Sequence, residues 1–138
     1  VLQRGVCRYS TLDLLEINLY QGKGRLMKVG AAATFIRREE NVEVIRSTSL
    51  PMGVFREADV ETKEVRLENG DMVFLVSDGV LDALPPGEGE HMMKYFINSL
   101  TNDNPAESAQ LLLDQVLEFC QDGILDDMTI LAGGFWRK

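Results

Sequence analysis

The stretch Met72-Val73-Phe74-Leu75-Val76-Ser77-Asp78-Gly79 decides the fold, because a continuous apolar run passes directly into an acidic turn. Five consecutive apolar residues predict a strand buried on both faces, and Asp-Gly is typical of the turn that ends a strand. A carboxylate at such a strand end must be solvated, hydrogen-bonded or metal-bound, because burying it unpaired is costly. Asp78 is therefore a candidate functional residue, and a purely structural turn is the competing interpretation.

A second acidic motif, Leu125-Asp126-Asp127-Met128-Thr129, leads into the last strand-like run of the chain. Two adjacent acids repel one another, and a bound cation would relieve that repulsion. Carboxylates are the hard oxygen ligands that magnesium and manganese prefer. If the two motifs meet at strand ends, they form half of a metal site.

The remaining pattern is a run of strands, two helices and a closing strand. Alternation and apolar runs predict strands over 12–20, 26–36, Val42–Ile45, 60–67 as an exposed edge, and 128–136. The small residues from Gly30 to Ala33 interrupt the run over 26–36 and indicate a bend or the close approach of another backbone. Helical spacing predicts one helix over 91–100 and a second that begins after the cap Asn104 with Pro105 in its first position. Helices do not alternate with strands, so the order predicts an α+β domain with antiparallel sheet packed against helices.

Composition sets further limits on function. The 138 residues correspond to a single domain with its own core, and no apolar run approaches the roughly 20 residues of a membrane span. The formal net charge of −8 argues against a nucleic-acid surface. The two cysteines, Cys7 and Cys120, are too few for a disulfide framework and too isolated for zinc, so both are expected to be structural thiols.

Together these motifs resemble the metal-dependent PP2C-type serine/threonine phosphatases, with the nearest likeness to the stage II sporulation protein E branch. The resemblance spans nearly the whole chain. It rests on Ser77-Asp78-Gly79-Val80, Asp126-Asp127-Met128-Thr129, Tyr9-Ser10-Thr11-Leu12-Asp13-Leu14, the hairpin 20–24, the stretch 28–38, and Leu50-Pro51-Met52-Gly53-Val54.

The resemblance implies an antiparallel β-sandwich with flanking helices in α-β-β-α layers, and two Mn²⁺ or Mg²⁺ ions at one edge. Asp78 and Asp126 match metal ligands of the family. Asp127, Asp82 and Gly79 are expected around them, with Asp82 either touching metal-bound water or capping a short helix. The implied activity is hydrolysis of a phosphoserine on a regulatory protein, of the anti-sigma factor antagonist type, in sporulation signalling. The implied location is a cytoplasmic domain, with any membrane tether outside this chain.

The chain departs from the family at one motif. Family members carry an earlier Asp-Gly whose Asp bridges both metals, and no Asp-Gly precedes Asp78 here. The chain also begins at Val1 without an initiator Met, so we interpret it as the C-terminal portion of a phosphatase domain without its N-terminal strands. The isolated chain is then expected to bind metal weakly, to have little activity, and to self-associate through exposed sheet edges.

Two rival interpretations remain. A haloacid-dehalogenase-type phosphatase would need an Asp-x-Asp motif on an early parallel strand, and the sequence has none. A non-catalytic pseudophosphatase or protein-interaction module is the second rival. The only histidine, His91, has no motif partner and is expected at the surface.

Overall fold

The computed structural model describes residues 10–51, 53, 60–120, 122–123 and 126–138. Cys7 and four residues of the sequence motifs, Tyr9, Met52, Val54 and Leu125, lie outside these residues. The described chain contains seven strands and three helices in two compact units. Unit 1 comprises Val1–Ala31 and Ser47–Arg66, and unit 2 comprises Ala32–Arg46 and Leu67–Lys138.

Unit 1 contains a three-stranded antiparallel sheet in the order β1-β2-β5. Its strands are β1 (Leu12–Asn18), β2 (Lys23–Val29) and β5 (Glu61–Arg66). β5 is an edge strand, as its exposed alternation predicted. The strand predicted over 12–20 is shorter in the structure: β1 ends at Asn18, and Leu19 lies in the hairpin turn, where it is 80% exposed.

Unit 2 contains a four-stranded antiparallel sheet in the order β4-β3-β6-β7. Its strands are β3 (Thr34–Arg37), β4 (Val42–Ile45), β6 (Met72–Val76) and β7 (Ile130–Gly134). The two central strands are the most deeply buried, and four of the five residues of β6 are buried. The expectation of a strand buried on both faces is therefore confirmed.

Three helices complete unit 2: α1 (Asp78–Asp82), α2 (Gly89–Asn98) and α3 (Pro105–Leu117). α2 and α3 match the two predicted helices, and the Asn104 side chain accepts a hydrogen bond from the Glu107 N–H as a helix cap. α1 begins at the Asp78-Gly79 motif, where the sequence predicted a turn, and a short helix near Asp82 was one of the two interpretations left open. The core between helices and sheet consists of Ala33, Phe35, Val42, Met72, Phe74, Val76, Val80, Leu84, Met93, Ile97, Leu112 and Val116.

The run over 26–36 is two strands, β2 and β3, and it is interrupted at its small residues as predicted. A Cβ on Gly30 would meet the backbone of Pro51, so the close approach of another backbone is confirmed. Gly30 has a φ of 56°, a left-handed conformation in which an extended strand cannot continue. Its N–H donates to Ser49 Oγ at 2.9 Å instead of to a neighbouring strand. β2 then pairs with β5, whereas β3 pairs with β6.

The α+β class and the antiparallel sheets are confirmed. None of the helices in the described ranges is long and apolar enough to cross a membrane. The self-association expected from exposed edges stays a prediction.

Candidate metal centre

The two acidic motifs meet at one end of the sheet in unit 2. β6 and β7 are antiparallel neighbours, and Val76, the last residue of β6, pairs with Ile130, the first residue of β7. The residues after one strand and before the other therefore lie side by side. This register brings together two segments that are about 50 residues apart in the sequence, as the motifs predicted.

Ser77 joins the two segments through hydrogen bonds on both sides. Its N–H donates to the Thr129 carbonyl at 3.0 Å, and its Oγ accepts the Thr129 N–H at 2.9 Å. The same Oγ donates to the Asp127 carbonyl at 3.3 Å. Sequence reasoning assigned no role to Ser77. The sequence feature that could have indicated this role is a serine between a buried strand and an acidic turn, because serine hydroxyls at such positions commonly form hydrogen bonds with the backbone.

Gly79 permits the close approach of the two segments. A Cβ at this position would lie 2.2 Å from the Asp127 carbonyl oxygen, and its other close neighbours include Asp126 Cβ at 3.4 Å. No side chain fits at 2.2 Å from a backbone oxygen, so only glycine allows this packing. Gly79 therefore supports the Asp126-Asp127 segment through its backbone.

The carboxylates of both motifs face outward. Asp78, Asp126 and Asp127 are all exposed. Asp126 Oδ1 accepts the Asp127 N–H at 2.8 Å, which fixes the orientation of the Asp126 carboxylate. Asp78 is the first residue of α1, where an anion is stabilised by the amide groups at the helix start. Both proposed ligands thus have defined positions on backbone that hydrogen bonds hold in place.

A cavity of about 490 Å³ lies beside the second motif. Asp126, Asp82 and Gly79 line it together with Phe119 and Met128. Asp82 is exposed and is the last residue of α1, so it cannot cap the start of that helix. The structure places Asp82 and Asp126 in the lining of the same cavity.

The described residues contain two candidate metal ligands, Asp78 and Asp126. No group of three or more potential ligands of the His, Cys, Asp or Glu type occurs among them. The chemistry of the donor set nevertheless fits a hard cation, because exposed carboxylates are what Mg²⁺ and Mn²⁺ bind. Asp78 and Asp126 therefore fit a Mg²⁺ or Mn²⁺ site that needs further oxygen ligands.

His91 and Cys120 belong to neither acidic motif, and they occupy different positions relative to the cavity. His91 is exposed on α2 and does not line the cavity beside Asp126. Cys120 is half-buried with a free thiol, lines that cavity, and has its Sγ 3.9 Å from the Val116 carbonyl oxygen. The surface position expected for His91 is confirmed, and Cys120 is the only described cysteine.

The sequence signature of the stage II sporulation protein E (SpoIIE) family matches residues 1–135. The chain is 35% identical over 125 residues to the stage II sporulation protein E of Bacillus subtilis (strain 168) and 33% identical over 125 residues to that of Priestia megaterium. Each match covers 90% of this chain, but only 15% and 21% of the two relatives. The chain thus spans about a fifth or less of their lengths.

The fold resembles the solved, Mn-presoaked structure of the phosphatase domain of the cell fate determinant SpoIIE from Bacillus subtilis. The TM-score is 0.82 and the sequence identity is 30%, over 94% of this chain and 58% of that one. PppA from Pseudomonas aeruginosa, a regulatory component of T6SS, shares the fold at a TM-score of 0.68 with 17% identity. The resemblance to PP2C-type phosphatases is therefore confirmed at the level of fold.

Proposed function

Because this chain belongs to the stage II sporulation protein E family, we propose that it forms one side of the metal centre of a protein serine/threonine phosphatase. Asp78 and Asp126 are the proposed metal ligands. The observation that carries the proposal is the convergence of the two acidic motifs, held by Ser77 and by the close packing at Gly79. The remaining ligands would come from the part of the phosphatase domain that this chain does not span.

Each residue has a defined part in this proposal. Asp78 and Asp126 supply carboxylate oxygens from two adjacent segments, so their separation depends on the Ser77 hydrogen bonds. Asp127 holds the Asp126 carboxylate through its N–H, and Asp82 can accept a hydrogen bond from water bound beside it. Bound Mn²⁺ or Mg²⁺ would supply a water with a lowered pKa and would neutralise charge on the phosphoryl oxygens.

The proposed substrate is a phosphoserine on a regulatory protein of the anti-sigma factor antagonist type. The names of the relatives, a sporulation protein and a cell fate determinant, support a role in sporulation signalling. The acidic character of the chain, with a formal net charge of −8, agrees with a site that needs cations before it can bind a phosphate. The proposed location is cytoplasmic, with any membrane tether in another part of the protein.

Phosphate release from the serine-phosphorylated regulatory protein tests this proposal in the intact phosphatase domain. Asp78→Asn and Asp126→Asn should each lower manganese-dependent kcat by at least about a hundredfold, because an amide binds the cation far less well than a carboxylate. Asp114→Asn is the matched control, because Asp114 is an exposed carboxylate on α3 whose hydrogen-bond partner is Gln110. It should retain full activity.

Unchanged turnover in both ligand variants would overturn the assignment of Asp78 and Asp126. A wild-type domain that binds the phosphoprotein but releases no phosphate at any manganese concentration would favour the alternative, a non-catalytic interaction module. The non-catalytic alternative is retained because the described residues do not contain a complete set of metal ligands.

A further inference from the structure

A second cavity, of about 510 Å³, lies in unit 2 between the edge strand β4 and helix α2. We call it the β4–α2 groove. It is lined on the strand side by Val42, Glu43, Val44 and Arg46, and on the helix side by Gly87, Glu90, His91 and Lys94. Asp78 and Asp126 are absent from this lining, so the groove is separate from the candidate metal centre.

The strand side of the groove has backbone groups available for pairing. β4 pairs with β3 alone among the described strands. The Arg38 N–H donates to the Asn41 carbonyl at 2.8 Å and closes the β3–β4 turn. Because hydrogen-bonded and non-hydrogen-bonded pairs alternate in an antiparallel ladder, Val42 and Val44 direct their N–H and C=O groups away from β3. These two residues can therefore pair with an added strand.

The helix side of the groove carries one cation that no described residue pairs with. The two acids of the groove already have ion-pair partners: Glu90 lies 2.5 Å from Arg46 Nε, and Glu43 lies 2.8 Å from an Arg38 nitrogen. That cation is Lys94, which has no ion pair with any residue in the described ranges. The groove is thus complementary to an extended segment that carries an acidic side chain.

We propose that the β4–α2 groove binds an extended segment of the phosphoprotein substrate. That segment pairs with the backbone of Val42 and Val44 and places an acidic side chain against Lys94. Strand addition of this kind takes affinity from main-chain hydrogen bonds and specificity from side-chain contacts. The proposal rests on the phosphatase function proposed above and identifies a substrate-docking surface for it.

The sheet register sets the distance between the groove and the metal centre. Ile45 and Leu75 both pair with Thr34, so β4 and β6 run in the same direction and their C-terminal ends are level. An added strand beside β4 would be three strand spacings from β6, about 14 Å. At least about four extended residues are needed to span that distance. The acidic docking segment should therefore lie four or more residues from the phosphoserine.

Two variants test the groove in the intact phosphatase domain. Val44→Pro removes an outward N–H without removing a hydrogen bond to β3, and proline is tolerated at such edge positions. Lys94→Glu reverses the charge of the exposed helix side. Each variant should raise KM for the serine-phosphorylated protein by at least about tenfold. Each should leave kcat and the hydrolysis of p-nitrophenyl phosphate unchanged, because that small substrate does not reach the groove.

Lys23→Glu, an equal charge reversal at an exposed position on β2, is the control and should leave KM unchanged. An unchanged KM in both groove variants would overturn the proposal. Analytical ultracentrifugation of the wild type and of Val44→Pro tests whether the groove binds a second copy of the chain instead. If the wild type is a dimer, Val44→Pro is a monomer and KM is unchanged, the groove is a dimer interface and the substrate assignment is contradicted.

Calorimetric titration of the phosphoprotein into the metal-free chain separates this proposal from the phosphatase proposal. Binding that is lost in Lys94→Glu and kept in Lys23→Glu supports the groove even if no hydrolysis is detected. Hydrolysis with a normal KM in both groove variants supports the phosphatase function and overturns the groove.

Discussion

At the scale of single residues, Gly79 is the position where the candidate site tolerates least change. Gly79→Ala would place a methyl group 2.2 Å from the Asp127 carbonyl oxygen, so the Asp126-Asp127 segment must shift. We expect a loss of about 1 to 3 kcal/mol in the free energy of unfolding, the usual cost of overpacking. Urea denaturation measures it.

Gly133→Ala is the matched control, because a Cβ on Gly133 would meet its nearest neighbour at 3.7 Å, an ordinary contact. It should change stability much less. Equal stability of Gly79→Ala and the wild type would show that the close packing of these segments is not required.

Glu61 gives a second prediction at this scale, in unit 1. The hydrogen bond from the Thr48 hydroxyl is the main cause of the lowered pKa of the Glu61 carboxyl, and the Thr48 N–H adds a further bond at 2.7 Å. A carboxylate with a lowered pKa in the folded state stabilises the fold above its unfolded pKa, and this contribution is lost as pH falls through the folded pKa.

Thr48→Val should therefore raise the pKa of Glu61 towards its ordinary value, and NMR titration of the side-chain carboxyl carbon measures this. Thr101→Val, at an exposed threonine between α2 and α3, should leave the titration unchanged. A Glu61 titration that is identical in Thr48→Val and the wild type would contradict this account of the hydrogen bond.

At the scale of elements, α3 shows what local sequence can predict. Asn104 accepts the Glu107 N–H at 3.1 Å, as its position before Pro105 predicted. Asn104→Ala should lower the free energy of unfolding by about 1 kcal/mol, since the N–H loses its partner. Thermal or urea denaturation measures the change. Asn98→Ala, at the exposed end of α2, should have a smaller effect, and a cap variant as stable as the wild type would count against this role.

The strands show where local sequence fails. A helix cap and the apolar face of a helix both depend on residues a few positions apart in the sequence, so α2 and α3 were predictable. Whether β2 and β3 are one strand or two depends on distant partners, β5 and β6, and on the left-handed backbone of Gly30. The five residues of α1 are too few for a periodic pattern to form.

At the scale of the whole molecule, the sequence predicted the α+β class and the meeting of the two acidic motifs. Both follow from the order of the elements and from turns at the ends of buried strands. The hydrogen bonds of Ser77 and the β4–α2 groove could not be predicted, because each needs the register between strands far apart in the chain. The roles of Asp127, Asp82 and Gly79 around the metal stay predictions.

The incomplete ligand set leads to a prediction about metal affinity. Two carboxylates without a bridging acid leave most of the coordination of a hard cation to water, so affinity should be low. The chain described here should bind Mn²⁺ weakly, with a Kd on the order of millimolar, whereas the intact phosphatase domain should bind in the micromolar range.

Calorimetric titration of Mn²⁺ into the intact phosphatase domain and its Asp126→Asn variant is the most direct measurement of the central claim. If Asp126 is a ligand, the variant should lose at least about tenfold in affinity, whereas Asp114→Asn should match the wild type. Equal Mn²⁺ affinity in Asp126→Asn and the wild type, or micromolar binding by the present chain alone, would contradict the account.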